Sequence, residues 1–305
     1  MPPIVHRRDF VKMSAAVTAG ALGGSAASLV AADGDASPSP QLKKAVKYDM
    51  VRGDASMTEK FQLLKELGFD GVEMSSPNGF EIDEVIAARD ESGLPIHGLV
   101  DSVHWRDTLS HPDPEIRKRG VEGLETALRD AKAYGATSVL LVPAVVNKDV
   151  SYDEAYTRSQ DEIRKVLPLA QELGVQILLE NVWNQFLLSP LEEARYIDEL
   201  ESPMVGAYFD VGNVVNYGWP EQWIRILGPR IVKLDIKEFS RKRRDDEGLS
   251  KGFGVKIGEG DCDWPAVMAA LRDVNYQGWA TAEVPGGDRE RLADIAARMD
   301  RVFAT

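Results

Sequence analysis

Cysteine, histidine and positive charge are all scarce in this chain. A single cysteine, Cys262, stands among 305 residues. That excludes an internal disulfide and any thiolate metal cluster, and a lone cysteine of this kind reads as a small inert hydrophobe. Four histidines are present, of which only His97, His104 and His111 lie beyond the N-terminal region, too few for a histidine-rich zinc cluster. Lys and Arg number 36 against 49 Asp and Glu, a net charge of −13. A phosphate backbone is repelled overall by such a surface, so nucleic acid is not an expected partner, a local basic patch aside. The one clear charge run, Arg241-Lys242-Arg243-Arg244 followed by Asp245-Asp246-Glu247, reads as a solvated loop.

Long apolar runs are also missing, with one weak exception. Met13 to Ala32 is an Ala/Gly/Ser/Val stretch, and Gly20, Gly23 and Gly24 make it a poor permanent membrane span. It follows His6-Arg7-Arg8-Asp9-Phe10-Val11-Lys12. A charged start, an apolar middle and the small residues Val30-Ala31-Ala32 form a secretory signal, and Arg7-Arg8 with Phe10 and Lys12 resembles a twin-arginine (Tat) signal, although His6 stands where Ser or Thr is usual. The expectation is a signal over 1–32, a polar linker over 33–44 and one folded domain over 45–305. The Tat export machinery would then be a partner, and the protein would work in the periplasm or elsewhere outside the cytoplasm. An uncleaved anchor is the alternative.

What is present is an alternation. Short apolar runs at Val46–Val51, Gly71–Met74, Ile96–Val100, Ser138–Val142, Val175–Leu179, Val205–Phe209, Ile231–Leu234 and Trp279–Ala282 read as strands. Amphipathic segments between them read as helices near 58–67, 82–91, 114–134, 153–173, after Ser189-Pro190, 220–227, 264–273 and 289–303, several stopped by a glycine. Strand–helix alternation calls for a parallel sheet with helices outside it, and eight units close it into a single-domain (β/α)8 TIM barrel.

Barrel chemistry sits where the strands end, so the residue following each apolar run is the one to read. Strands five to eight end at Glu180, Asp210, Asp235 and Glu283, spaced 30, 25 and 48 residues apart. Four carboxylates in one mouth repel unless a cation compensates them. An oxygen-only shell favours a hard divalent ion, Mg2+ or Mn2+, with Co2+ and Zn2+ as further candidates. The competing assignment pairs these acids with Lys233, Lys237 or Lys256, or leaves them facing solvent.

The segments Leu178-Leu179-Glu180-Asn181, Phe209-Asp210-Val211-Gly212-Asn213, Asp235-Ile236-Lys237-Glu238, Gly258-Glu259-Gly260-Asp261 with Asp263-Trp264, and Ala282-Glu283-Val284-Pro285 together resemble the sugar phosphate isomerase/epimerase family. That family has a xylose isomerase-like TIM barrel and includes ketose 3-epimerases and hydroxypyruvate isomerase. The resemblance implies that Glu180, Asp210, Asp235 and Glu283 hold one metal ion. It also implies proton transfer beside a carbonyl through a metal-stabilised enediolate, with Glu180 and Glu283 as the catalytic pair on a small sugar or sugar derivative. Two positions depart from the pattern. Asp235 replaces the usual His, which makes the site more anionic, and Asn213 stands where many epimerases carry a His that touches substrate.

Further substrate candidates are Glu73 at the end of strand two, His97 in strand three, His104 and Trp105 after it, Trp183 beyond Glu180, Asn213, and Lys256 before the Gly258 turn. Two other functions fit the same residues: a metal-dependent lyase acting on 3-oxo-glycosides, and a sugar-binding barrel without chemistry. An endonuclease IV-type nuclease does not fit, because histidines are few and the charge is wrong. Association into a homo-oligomer is left open by the sequence.

Overall fold

The computed structural model describes residues 40–305. The signal expected over 1–32, and the linker as far as residue 39, lie outside the described residues. Eight strands, β1 (Leu42–Lys47), β2 (Gly71–Ser76), β3 (Ile96–Asp101), β4 (Ser138–Leu141), β5 (Gln176–Glu180), β6 (Val205–Asp210), β7 (Ile231–Ile236) and β8 (Gly278–Ala282), pair in parallel and in chain order. β1 closes the ring on β8, Leu42 opposite Gly278 and Val46 opposite Ala282. The outer layer holds α1 (Met57–Glu66), α2 (Ile82–Ser92), α3 (Pro114–Tyr134), α4 (Tyr152–Leu173), α5 (Pro190–Asp198), α7 (Pro220–Leu227), α9 (Trp264–Asp273) and α10 (Arg289–Phe303). Two short helices, α6 (Val211–Val215) and α8 (Arg241–Glu247), decorate the mouth. No helix among the described residues is long and apolar enough to cross a membrane.

Local chemistry explains the helix limits. Asp113 caps α3 by accepting from Glu115 N, with Pro114 in the first turn, and Ser189 with Pro190 does the same for α5. Gly135 and Gly174 end α3 and α4 at φ 79° and 67°, a left-handed conformation that glycine adopts without a steric penalty. The main core lies between strands and helices and includes Phe61, Leu64, Leu124, Ile163, Ile177, Phe209 and Ile295. A small separate cluster of Leu140, Leu178 and Tyr208 fills part of the barrel axis.

Two sequence expectations are corrected. β1 runs Leu42–Lys47 rather than Val46–Val51, so its first residues fall within the expected linker. Lys43, Lys44 and Lys47 interrupt its apolar pattern, and the stretch beginning at Tyr48 is a single 3-10 turn. The charge run at 241–247 is a helix, not a solvated loop: Arg241 donates to the carbonyls of Val215 and Gly218, and Arg244 to that of Asn216.

Candidate active site

Side chains alternate along a strand, so Leu178 and Glu180, Tyr208 and Asp210, and Lys233 and Asp235 share the face turned to the barrel axis. Residues at or beside the strand ends therefore carry their carboxylates into the mouth. Asp210 pairs with Asp235 across β6 and β7, and Glu180 with Tyr208 across β5 and β6. Glu283 follows the last residue of β8. One oxygen from each of Glu180, Asp210, Asp235 and Glu283 lies within 4.8 Å of the others. The four acids expected from the strand ends are brought together.

Neighbours fix their orientation. Asn181 clasps Asp210, accepting from its N–H at 2.7 Å and donating to its carbonyl at 2.9 Å. Asp210 Oδ1 accepts from Asn213 N at 2.7 Å as the cap of α6. Asn213 Nδ2 lies 3.4 Å from Glu180 Oε1 and donates to Asn181 O at 3.1 Å. Asn213 thus positions the acid cluster, and it does not line the cavity.

Two lysines share the mouth. Lys47, the last residue of β1, places Nζ 3.1 Å from Asp235 Oδ2, 2.9 Å from Glu283 Oε1 and 3.7 Å from Glu73 Oε2. Lys237 Nζ lies 3.0 Å from Asp210 Oδ2 and 2.5 Å from Glu283 Oε2. Burial disfavours both ammoniums, but the surrounding carboxylates outweigh it and hold their pKa values above the ordinary lysine range. Lys237 had been a rival partner for the acids, and it is one. Lys47 was missed. Its signal was available: applied to β1 in its true position, the strand-end rule selects Lys47.

The electrostatics divide the acids. Burial, reinforced by Glu283, pushes the Glu180 carboxyl up, and burial likewise raises Asp210. Asp235 is driven well above the usual range by burial, then by Glu283, Glu73 and Glu180. Glu283 goes the other way: burial would raise it, but Lys47 and Lys237 together hold it below the carboxylate range. Buried Asp235 Oδ1 has no hydrogen-bond donor aimed at it, and Asp210 Oδ2 meets only the Lys237 ammonium. An orphaned buried oxygen in an all-carboxylate donor set fits a hard divalent ion, which would repay its desolvation.

A cavity of about 520 Å³ opens above the acids, lined in part by Lys47, Glu73, His104, Trp105, Glu180 and Glu283. Glu73 Oε1 accepts from Tyr208 OH at 2.9 Å, and its Oε2 has no donor. His104 Nδ1 accepts from Val142 N at 3.1 Å, which leaves Nε2–H as its free donor. Burial pushes its pKa down to about 3, so the ring stays neutral. Trp105 sits edge-on to His104 and is half exposed.

Besides Asn213, three expected substrate contacts lie outside this cavity. His97 is buried beneath the mouth, stacked on Trp279 with centroids 4.5 Å apart and its Nε2 3.1 Å from Thr281 Oγ1. Lys256 pairs with Asp294 of α10 at 3.1 Å, half exposed and outside the cavity lining. Trp183 donates Nε1–H to Asn213 O at 2.9 Å and packs on Phe239 and Phe253 beside the mouth. The Gly258–Trp264 motif is also structural. Buried Glu238 accepts from Gly258 N, Cys262 N and Trp264 Nε1, holding that loop against the rim.

Comparison with known proteins agrees with this fold. A family model described as xylose isomerase-like TIM barrel matches residues 61–302. L-Ribulose-5-phosphate 3-epimerase of Salmonella paratyphi C is 26% identical over 264 residues, covering 79% of this chain and 89% of its own. Among solved structures, D-allulose 3-epimerase from Methylomonas sp. superposes with a TM-score of 0.71 at 18% identity, covering 88% of this chain and 99% of its own. The 3-keto-D-glucoside 4-epimerase of E. coli gives 0.70 at 20% identity, with 87% and 100% covered. These relatives are named epimerases, a class of isomerase.

Proposed function

The chain belongs to the xylose isomerase-like TIM-barrel family, and from that premise we propose that it is a divalent-metal-dependent sugar epimerase or isomerase. The observation that carries this is the convergence of Glu180, Asp210, Asp235 and Glu283 within 4.8 Å, with the two glutamates in opposite electrostatic environments. Those four side chains would hold the ion, and their oxygen-only set favours Mn2+ or Mg2+. A divalent ion bound there supplies Lewis acidity, which eases loss of a proton from carbon beside a carbonyl.

Such a reaction needs one group to take the proton and another to return one. Glu180 and Glu283 are the pair for these roles, flanking the substrate so that one takes the proton and the other returns one to the opposite side of the same carbon. Lys47 and neutral His104 Nε2–H offer donors to substrate oxygens in the cavity, and Trp105 offers an apolar face to the ring. The arginine pair at residues 7 and 8 supports export by the Tat pathway, which cell fractionation of the full chain tests.

The deciding experiment combines metal analysis of purified protein with solvent-deuterium exchange over a panel of ketoses and 3-oxo-glycosides. We expect one bound divalent ion, exchange at one substrate carbon, and loss of exchange in Glu180→Gln and Glu283→Gln with the fold intact. Tight sugar binding without exchange would make the protein a sugar receptor, and release of a free aglycone would make it a lyase.

A further inference from the structure

Beside the acidic cavity lies a second one of about 160 Å³, lined by Val182, Trp183, Gln185, Leu188, Tyr217 and Leu249, with Asn216 at its edge. Val182 lines both. We propose that this second cavity is a subsite for the ring attached to the reacting sugar, and that the substrate is therefore a glycoside rather than a free monosaccharide. The proposal rests on the sugar-epimerase function argued above and adds the substrate class to it.

Three independent features point to a ligand. First, Leu188, Tyr217 and Leu249 are 56%, 46% and 52% exposed, so three large apolar side chains meet water at one place. Isolated exposed hydrophobes need no explanation, but a cluster against a polar cavity marks a binding surface. Second, the walls are built. Trp183 is fixed by its hydrogen bond to Asn213 O and by packing on Phe253 at 4.8 Å. Asn216 is held from behind by Arg244, which donates to its carbonyl at 2.9 Å and its Oδ1 at 3.2 Å. The charge run noticed in the sequence thus serves as the brace of this cavity. Third, the loop after β5 that carries Trp183, Gln185 and Leu188 contains two non-glycine residues in the left-handed region, Gln185 at φ 62° and Leu187 at φ 51°. Such conformations concentrate where a loop must present particular side chains.

Size and chemistry select the occupant. A cavity of about 150 Å³ holds one benzene-sized ring, so this one takes a single six-membered ring. Apolar walls with Gln185, Asn216 and the Tyr217 hydroxyl suit a ring with an apolar face and a polar edge, as in a second pyranose or an aryl group. Val182 lines both cavities and so makes them neighbours, which sets a ring joined through a glycosidic oxygen to the reacting sugar beside the second cavity. A monosaccharide fills only the acidic one.

The test uses Leu249→Asp and Leu188→Ser, exposed positions whose substitution spares the core, with Leu249→Met as the conservative control. Deuterium exchange is followed on 3-oxoglucose and on the 3-oxo derivative of phenyl β-glucoside. We expect kcat/KM on the phenyl glycoside to fall roughly tenfold in Leu249→Asp, as for loss of an apolar pocket contact, while the monosaccharide value and the Leu249→Met variant stay close to wild type. Equal losses on both substrates, or none, overturn the subsite. Calorimetric binding of phenyl β-glucoside against glucose separates this from failure of the enzymatic assignment. Wild type should prefer the phenyl glycoside and Leu249→Asp should lose that preference, whether or not any sugar is turned over. Equal affinity for the two ligands in wild type refutes the proposal.

Discussion

Glu193 on α5 has no exposed surface, and neither of its carboxylate oxygens meets a hydrogen-bond donor. Burial, aided by the charge of Glu180, pushes its carboxyl from 4.5 up to about 8. The folded protein therefore binds this proton more tightly than the unfolded chain does. Folding carries no penalty from Glu193 below pH 4.5, an increasing one as pH rises, and a constant one above the folded pKa of about 8. At about 1.4 kcal/mol per pKa unit the full penalty is about 5 kcal/mol, of which about 4 accrues between pH 5 and 9. Glu193→Gln removes the titration while keeping the side chain's size. The variant's advantage over wild type should grow by about 4 kcal/mol between pH 5 and pH 9, a change in Tm difference on the order of 8 °C for a chain of this length. Thermal or urea unfolding of both proteins across this range reads the effect, and subtracting one curve from the other cancels the remaining titrating groups. Parallel curves would refute the assignment of a buried, proton-holding carboxyl.

Three other outcomes follow from the acid cluster and its braces. Mn2+ should raise Tm with concentration, by about 2.7 kcal/mol of stability at a hundredfold excess over Kd, and Asp210→Asn or Asp235→Asn should abolish the gain in a thermal-shift titration. Lys47→Met leaves Asp235 and Glu283 short of a counter-charge, so the metal-free variant should lose about 3 kcal/mol and recover more than wild type does when Mn2+ is added; an equal response would argue against Lys47 as a counter-ion. Glu238→Ala strands the donors of Gly258, Cys262 and Trp264, and should cost about 3 kcal/mol and speed hydrogen exchange at residues 258 and 262.

The barrel and its four acids were legible because two simple periodicities coincide. Glycines after helices and apolar runs between them count out the units, and a period of two in the strands sends each terminal acid inward. Lys47 was hidden by the same logic. A strand written Leu-Lys-Lys-Ala-Val-Lys does not look apolar, because Lys44 spans the barrel's outer layer to reach Asp300 at 2.6 Å and Lys47 spends its charge on the acids. Tertiary pairing made those charges tolerable, and pairing across 188 residues, as between Lys47 and Asp235, has no local signature. Histidine and tryptophan roles were ambiguous for a related reason. His97 occupies a strand position that resembles that of a substrate contact, and only its stacking on Trp279 shows that it supports the structure, while the hydrogen bond to Asn213 draws Trp183 away from the acidic cavity. Arg241 and Arg244 belong to the same class, since their partners are backbone carbonyls that no residue-type pattern announces.

The string Glu73–Tyr208–Thr281–His97, joined at 2.9, 2.9 and 3.1 Å, ends on Trp279. It runs through the barrel from the floor of the mouth to Trp279, which lines a separate cavity with Gln41 and Gln277. Unbroken contact therefore joins that cavity to a carboxylate in the mouth.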